Sequence, residues 1–464
     1  MKTRSILMAT AGAAIACLPC AMAQPSSDSS SASGWYVQDD FVPDQRLRIV
    51  VRNDLDRPRE NAPVTITRTQ LSAMPDVHEL AMTLVDPALP GREEPSFELL
   101  QRQGGHEARA EENGAWIPYQ FDDLDKDGLW DELFFMSDFE AGEEKVFYIY
   151  LGQQGRGWQA HETHAGIGSY VRHTVPFWES GNIGWKLWYP TDIDVFGKRE
   201  PVLMSQRLYM DNLDGYGVNH VDPAFGSDIM QVGSSFGGGG IGVFDTPGEP
   251  DTVSRPRFTG RAPDSVFNAG PIGDTRYAFE VVTNGPVRSI IRAHTFNWDS
   301  GNGQYAAEQL YTAYAGESYS TASVRFTEFD PEGSAAFAVG MRRHVNEEDY
   351  LQEDGIVISG GPEAIRNVDD DGLRENSLIV DYVSTALVVP ERFDPEFVTT
   401  EDFGGNHMFR ITPGDDLTFD YLIAAGWSEG AVNTNQEEFR AYVGEVAESF
   451  NSPIEFVSGQ MESK

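Results

Sequence analysis

The run YAFEVVTNGPVRSIIRAHTFNW, residues 277 to 298, decides the fold class. Valine, isoleucine, threonine and aromatic residues fill both halves, and Asn284-Gly285-Pro286 interrupts them. Such side chains favour pleated, half-buried backbone, and an Asn-Gly-Pro break ends one strand and starts another. The same grammar extends outward in both directions, through LRIVVRN (47–53), PVTITRTQL (63–71), KVFYIYLG (145–152), STASVRF (320–326) and SLIVDYVSTALVVP (377–390). Turn residues punctuate these runs about every eight to twelve positions, the rhythm of sandwiches rather than βαβ units. The chain is therefore read as mainly β.

One helix is expected near the C-terminus. Thr434 and Glu437 read as a capping box, and Phe439, Tyr442, Val443, Val446 and Phe450 recur at helical spacing before Pro453. Its apolar stripe fits a lid on a sheet. The Gly/Gln-rich link GQQGRGWQAHETHAG (152–166) divides a small N-terminal β-sandwich, residues 35–155, from a large β-sandwich, residues 165–464.

Residues 1–23 read as a secretory signal peptide: Lys2 and Arg4, then an apolar run, then Ala21-Met22-Ala23. Cys17 offers a lipoprotein alternative, although Ala14 stands where a larger aliphatic residue is usual. Residues 24–34 are a Ser-rich tether expected to be disordered. Both cysteines, Cys17 and Cys20, fall inside the segment to be removed, which leaves no thiol chemistry to the mature chain. No later apolar run reaches the length that spans a bilayer. The expected location is periplasmic or secreted.

Charge narrows the partners. The chain has 73 acidic and 34 basic residues, a formal net charge of −39. Such a surface repels nucleic acid and anionic lipid, so any site for an anionic substrate must carry its own cations. The plain alternative is a solvated acidic face in a salty medium.

Three stretches carry candidate chemistry. DLDKDGLWD (123–131) spaces Asp123, Asp125 and Asp127 two apart, with Gly128 for a sharp turn and Asp131, or Glu132 just after it, to close. Alternating carboxylates suit a structural Ca2+ ion, and Phe134 at the twelfth position excludes an EF-hand; an acidic Asx turn is the alternative. GGGGIG (237–242) matches a dinucleotide fingerprint only in letters, because Pro247 and Pro250 follow where a helix must open. The glycines fit a curved strand or a close backbone approach instead. NIGWKLWYPTDIDVFGKREPVL (182–203), with Trp178 and Glu179 just before it, gathers aromatics beside Asp192, Asp194, Lys198 and Arg199. Aromatic faces stack on sugar rings, although strand alternation sends half of such aromatics into a core. His161, His164 and His173 cluster at the link without a carboxylate pattern that completes a metal site, and His294 reads as a strand residue. His220 stands apart in a loop of Gly, Asn, Asp and Pro, with Tyr216 and Asp228 near it.

Several of these stretches together carry a resemblance over most of residues 50 to 300. They are DRPRENAPVTI (56–66), QFDDLDKDGLWDEL (120–133), WES (178–180), Y-x4-D-x-F-G-K from Tyr189 to Lys198, His220 six residues before Gly226, GSDIMQVGSSFGGGGIG (226–242) and NGPVRS (284–289). The chain resembles a secreted bacterial family of formerly unknown function, encoded in polysaccharide-utilisation loci, which includes oligosaccharide dehydratases of ulvan breakdown. Asn219 stands where the family often has an aromatic, leaving Tyr216 as the nearest phenol. The resemblance implies a large sandwich of the mutarotase and lyase type. It also implies elimination on the terminal uronic acid of an acidic oligosaccharide, without a catalytic cofactor. In that reading His220, Tyr216, Tyr189 and Lys198 are candidate catalytic groups. Arg199, Arg288, Trp178, Glu179, Asp194 and Asp228 bind substrate. A glycoside hydrolase using Glu179 with Asp194 or Asp228, and a non-catalytic periplasmic oligosaccharide-binding protein, are the rivals.

Overall fold

The 277–298 run folds as the strands Arg276–Asn284 and Arg288–Asp299, paired antiparallel across the Asn-Gly-Pro turn. They begin an eight-stranded antiparallel sheet that continues through Gly303–Tyr314, Tyr319–Pro331, Thr418–Trp427, Glu375–Val388 and Ile356–Val368 to Asp349–Glu353. The computed structural model describes residues 34–38, 41–74, 76, 78–93, 110–152, 159–170, 173–188, 192–206, 226–230, 232–233, 235–256, 275–368 and 375–464. The expected signal segment 1–23, nearly all of the tether 24–34, and Tyr189, Tyr216 and His220 lie outside these residues. Tyr36–Lys464 groups as one compact unit.

Two five-stranded antiparallel sheets cover the inner face of the large sheet. One runs Thr163–Tyr170, His173–Ser180, Ile183–Trp188, Asp192–Lys198, Gly226–Asp228; the other runs Val253–Ser254, Gly240–Phe244, Ala336–Arg342, Asn406–Ile411, Glu396–Thr400. One apolar core joins all three, with Trp178, Trp185, Ile241, Tyr311, Val339, Tyr421 and Trp427 among its fully covered members. Period-2 alternation explains this, since a strand can present one apolar face to a facing sheet. The mainly β expectation holds. Among the described residues no helix is long and apolar enough to cross a membrane.

A second core lies between a five-stranded sheet and the three strands Arg59–Thr67, Glu132–Phe139 and Tyr119–Asp122. Its five-stranded sheet contains Gln45–Arg52, Glu144–Leu151 and Met82–Asp86, and also Glu455–Ser463 from the far end of the chain. The end of the chain thus belongs with its beginning. Between the cores, Gln120 accepts from the amides of Val287 and Arg288, and the Arg288 guanidinium pairs with Asp122 at 2.6 Å and Glu132 at 2.7 Å.

The expected helix is present as Gln436–Asn451, with its start shifted by one residue. Asn435 is the N-cap and accepts from the Glu438 amide, while the Glu438 carboxylate accepts from the Thr434 amide and hydroxyl. Asn extends to the same third amide as Thr, which is why the start slides. Phe439, Val443 and Ala447 bury against Leu422, Ala424, Ala386 and Tyr382, on the face of the eight-stranded sheet opposite the main core.

Candidate functional site

The register of the sheet around residues 163–228 sorts its side chains into two groups. Trp178 lies opposite Trp185, which lies opposite Val195; Lys186 lies opposite Asp194, and Phe196 opposite Asp228. Directly opposed residues share a face. Trp178, Trp185, Ile193 and Val195 therefore enter the main core, while Glu179, Lys186, Asp192, Asp194, Lys198 and Asp228 stand on the other face. The first five of these are buried despite their charge. Charged groups taken from water need partners, and each has one.

Lys186 sits at the centre, with its ammonium 2.9 Å from Asp194 and 3.3 Å from Asp228, and over the half-buried Trp188 ring. Burial, and then the like charge of Asp194, push the Asp228 carboxyl up to about 7 against the opposing pull of Lys186. The Asp228 side chain is 13% exposed, against 3% for Lys186 and 6% for Asp194, so it is the most accessible member of the trio. Asp192 pairs with Arg255 at 2.9 Å with both side chains fully covered.

Glu179 forms the second cluster. Its carboxylate accepts from Lys198, the Ser205 hydroxyl, and the amides of Met204 (3.1 Å) and Ser205 (2.9 Å). Burial alone would raise its pKa. Lys198 and the hydrogen bonds of His164, Lys198 and Ser205 outweigh burial and hold the group at about 2. His164 bonds Ser205 at 2.9 Å, which accounts for this linker histidine without a metal.

This geometry reassigns several expected binding residues. Trp178 has no exposed surface; it stacks on Tyr311 at 4.8 Å and donates to Ser320, so it is a core residue and not a sugar platform. Lys198 donates to Glu179, to the Ser180 carbonyl at 2.5 Å and to the Val202 carbonyl at 2.8 Å, which occupies all three of its protons. Glu179 is held by the same contacts. Arg199 turns to the core side, donating to Glu429 and to Ser227 above the Trp427 ring, away from Asp228. Arg288 serves the junction between the two cores. Among the described members of the expected set, Glu179 and Lys198 close on each other, and Asp194 and Asp228 converge on a cation, Lys186, that was not singled out from the sequence. Its signal is present: Lys186, Asp192, Asp194 and Lys198 fall at even spacings along two paired strands.

The glycine run is explained by packing. Gly240–Phe244 is a strand, not a helix opening. A Cβ on Gly237 would collide with the Ile193 carbonyl, and one on Gly239 with the Ile423 side chain. The Gly238 amide bonds the Ile193 carbonyl at 2.7 Å, tying the two five-stranded sheets together.

The Asp-rich loop brings ligand oxygens of Asp123, Asp125 and Asp131 within 4.8 Å of one another. Asp127 caps the Leu129 amide at 2.8 Å instead of joining them. Lys126 and Arg292 tie the loop to the large sheet through the Val282 and Leu124 carbonyls.

The Lys198–Glu179 pair yields a direct prediction. Lys198→Met strands a buried carboxylate, so urea denaturation should show a loss of about 3–5 kcal/mol. The double variant Lys198→Met/Glu179→Gln should recover part of it. An unchanged midpoint with a raised KM would instead return Lys198 to substrate binding.

The chain is 22% identical over 367 residues to an uncharacterized protein, P7, of Formosa agariphila, covering 74% of this chain and 81% of that one. Among solved structures it is similar to a protein in the Glycosyl Hydrolase Family 38 from Enterococcus faecalis, with a TM-score of 0.41, 9% identity, and coverage of 90% of this chain and 47% of that one. It is also similar to an alpha-mannosidase from Enterococcus faecalis V583, with a TM-score of 0.40, 9% identity, and coverage of 90% and 46%. The chain spans a little under half the length of each of these two proteins. A family model matches residues 51–456, and the chain belongs to that family, described as a domain of unknown function, DUF4861.

Proposed function

We propose that this protein is a carbon–oxygen lyase acting on the terminal uronic acid of acidic oligosaccharides such as ulvan fragments, exported through residues 1–23 to the periplasm or beyond. The observation that carries the reading is the Lys186–Asp194–Asp228 cluster on the charged sheet face, with a partly accessible carboxyl held at about 7. The substrate class rests on the sequence resemblance, not on the cluster. The segment that contains Tyr216 and His220 connects Asp192–Lys198 to Gly226–Asp228, two hydrogen-bonded strands of this sheet.

Elimination breaks the C5–H and C4–O bonds and forms C4=C5. The oxygen departs as water, or as the hydroxyl of the preceding sugar. The reaction needs a base for the C5 proton, an acid for the C4 oxygen, and a cation for the charge that develops on the carboxylate. In this reading His220 takes the C5 proton, because imidazole titrates near neutrality. The protonated Asp228 carboxyl delivers a proton to the C4 oxygen, with Tyr216 or Tyr189 as alternative donors. Lys186 meets the developing charge, and Trp188 replaces Trp178 as the stacking surface.

Incubation with ulvan, pectin and alginate oligosaccharides, followed by mass spectrometry and ultraviolet absorbance of the new double bond, tests the class. Loss of water, or cleavage with an unsaturated end, is expected. Gain of water with saturated ends favours hydrolysis, for which Asp194 and Asp228 form the carboxylate pair. Unchanged sugars leave a binding protein. His220→Ala and Asp228→Asn should each lower the rate by about 10²–10⁴; full activity in either removes that residue from the chemistry.

The pH profile gives a separate prediction. Removing a neighbouring negative charge favours ionisation of the remaining carboxyl. In Asp194→Asn the ionisation of Asp228 should therefore fall below its wild-type value near 7, and the alkaline limb of kcat/KM should move to lower pH. A limb that stays in place separates Asp228 from the proton transfer.

The same proposal assigns a structural Ca2+ to Asp123, Asp125 and Asp131. An oxygen of Asp123 is buried without a hydrogen-bond partner among the described residues, which supports a cation at that point. EDTA should lower the melting temperature and calcium should restore it, and Asp123→Asn/Asp125→Asn should abolish the difference. Identical melting in EDTA and calcium would leave the loop as an acidic turn.

A further inference from the structure

Arg59 departs from the pairing that governs the other buried charges. Its side chain is only 4% exposed, yet no carboxylate lies within ion-pair distance of it among the described residues. Its single hydrogen bond runs from Nη1 to the Ser452 carbonyl, at 2.9 Å. Nε and Nη2 remain, the edge of a guanidinium that matches the two oxygens of a carboxylate or sulfate side by side.

Arg59 lines a cavity of about 1090 Å³ between the strand Arg59–Thr67, the eight-stranded sheet and the helix Gln436–Asn451. The cavity lies on the face of the large sheet opposite the main core, away from the Lys186 cluster. Its other arginines are already matched: Arg57 with Glu448 at 2.5 Å, and Arg392 with Asp420 at 3.0 Å. Glu317, on the same wall, is buried against Tyr442 and Asn61, and burial pushes its carboxyl up to about 7, which weakens its claim on Arg59. Tyr314, Tyr319 and Phe450 supply ring surface, and Gln70, Thr321 and Ser323 supply polar groups.

Two local features aim Arg59 inward. The pairing of its strand shifts register between Arg59 and Ala62, and Asn61 takes a positive φ of 49° within the bulge. Bulges redirect side chains and are common beside sites. Arg57 and Arg59 also belong to the DRPRENAPVTI stretch, which the Lys186 cluster does not use.

We infer that this cavity is a second binding site, for a sugar chain carrying a carboxylate or sulfate that docks side-on to Arg59. The inference does not depend on the elimination reaction. Its structural rival is that Arg59 only caps the helix, whose C-terminus carries about half a negative charge near Ser452.

Hydrogen-exchange mass spectrometry on the full chain, with trigalacturonate, neutral galactotriose and inorganic sulfate as probes, distinguishes the two. Trigalacturonate should protect peptides covering residues 59–67 and 445–454, in the wild type and in Asp228→Asn alike. Protection by sulfate as well would identify the oxyanion as the recognised group. Arg59→Gln should weaken trigalacturonate binding at least tenfold by calorimetry, and Arg59→Lys less. Equal protection by galactotriose, or Arg59→Gln that melts earlier but binds unchanged, would overturn the proposal in favour of the cap. If Arg59→Gln does not fold, the wild-type map decides, and protection absent from both peptides overturns it. Turnover by the Lys186 cluster is read separately and does not bear on the outcome.

Discussion

A charge removed from water must find an opposite charge, and this requirement orders the functional half of the molecule. The sheet around residues 163–228 places tryptophan and aliphatic side chains on one face and carboxylates and ammonium groups on the other. Both faces are buried. The charged face is tolerable only because it is paired within itself: Glu179 with Lys198, Asp192 with Arg255, and Asp194 and Asp228 with Lys186. In the first two pairings Glu179 faces a lysine and Asp192 faces an arginine. The third leaves two carboxylates sharing one cation, so one of them is driven toward its neutral form. A carboxyl poised between its two states is what proton transfer needs and what a purely structural pair lacks.

The same requirement explains why two of the resemblance motifs, the Asp-rich loop and NGPVRS, meet away from that cluster. Asp122 and Glu132 flank the Asp-rich loop, and Arg288 opens the strand after the Asn-Gly-Pro turn, yet the three meet in one ion-pair cluster over the Phe134 ring. Gln120 completes the junction by bonding the turn's amides, and a Cβ on Gly285 would collide with its side-chain amide. Arg288, which looks like a substrate clamp in the sequence, thus helps hold the two cores together. A fixed junction in turn fixes the Arg59–Thr67 strand relative to the large sheet, which defines the cavity between them.

The fold was legible because strand composition and turn punctuation are local. Each of the quoted runs shows its β-branched and aromatic content without reference to any other part of the chain, and the helix shows its stripe in the same way. The last strand was not legible: EFVSGQMES gains its place only by pairing with Gln45–Arg52, some four hundred residues earlier. In the candidate site, the presence of aromatics and charges was readable and their facing was not. Trp178 and Trp185 are covered within the core while Trp188, half-buried at its edge, lies beside Lys186, a distinction set by register across three strands. Lys198 stood out because it closes a recognisable motif, whereas Lys186 lay unmarked between two tryptophans. Only the opposition of residue 186 to residue 194 gives the latter its role.

These pairings also show how a chain with a net charge of −39 can present local positive charge. Long-range repulsion from an acidic surface is screened within about 10 Å at ordinary salt. A cation acts on an anionic ligand only at shorter range, and only if its own pairs leave a donor edge open. Lys186 is shared between two carboxylates, one of them pushed up to about 7. Arg59 has no carboxylate within ion-pair distance among the described residues, and it lines its cavity with a single hydrogen bond spent on the Ser452 carbonyl. Lys198, Arg255 and Arg288 are matched by carboxylates inside the fold. Position beside a carboxylate, more than the number of basic residues, therefore separates the cations that hold the protein together from those left to meet a ligand.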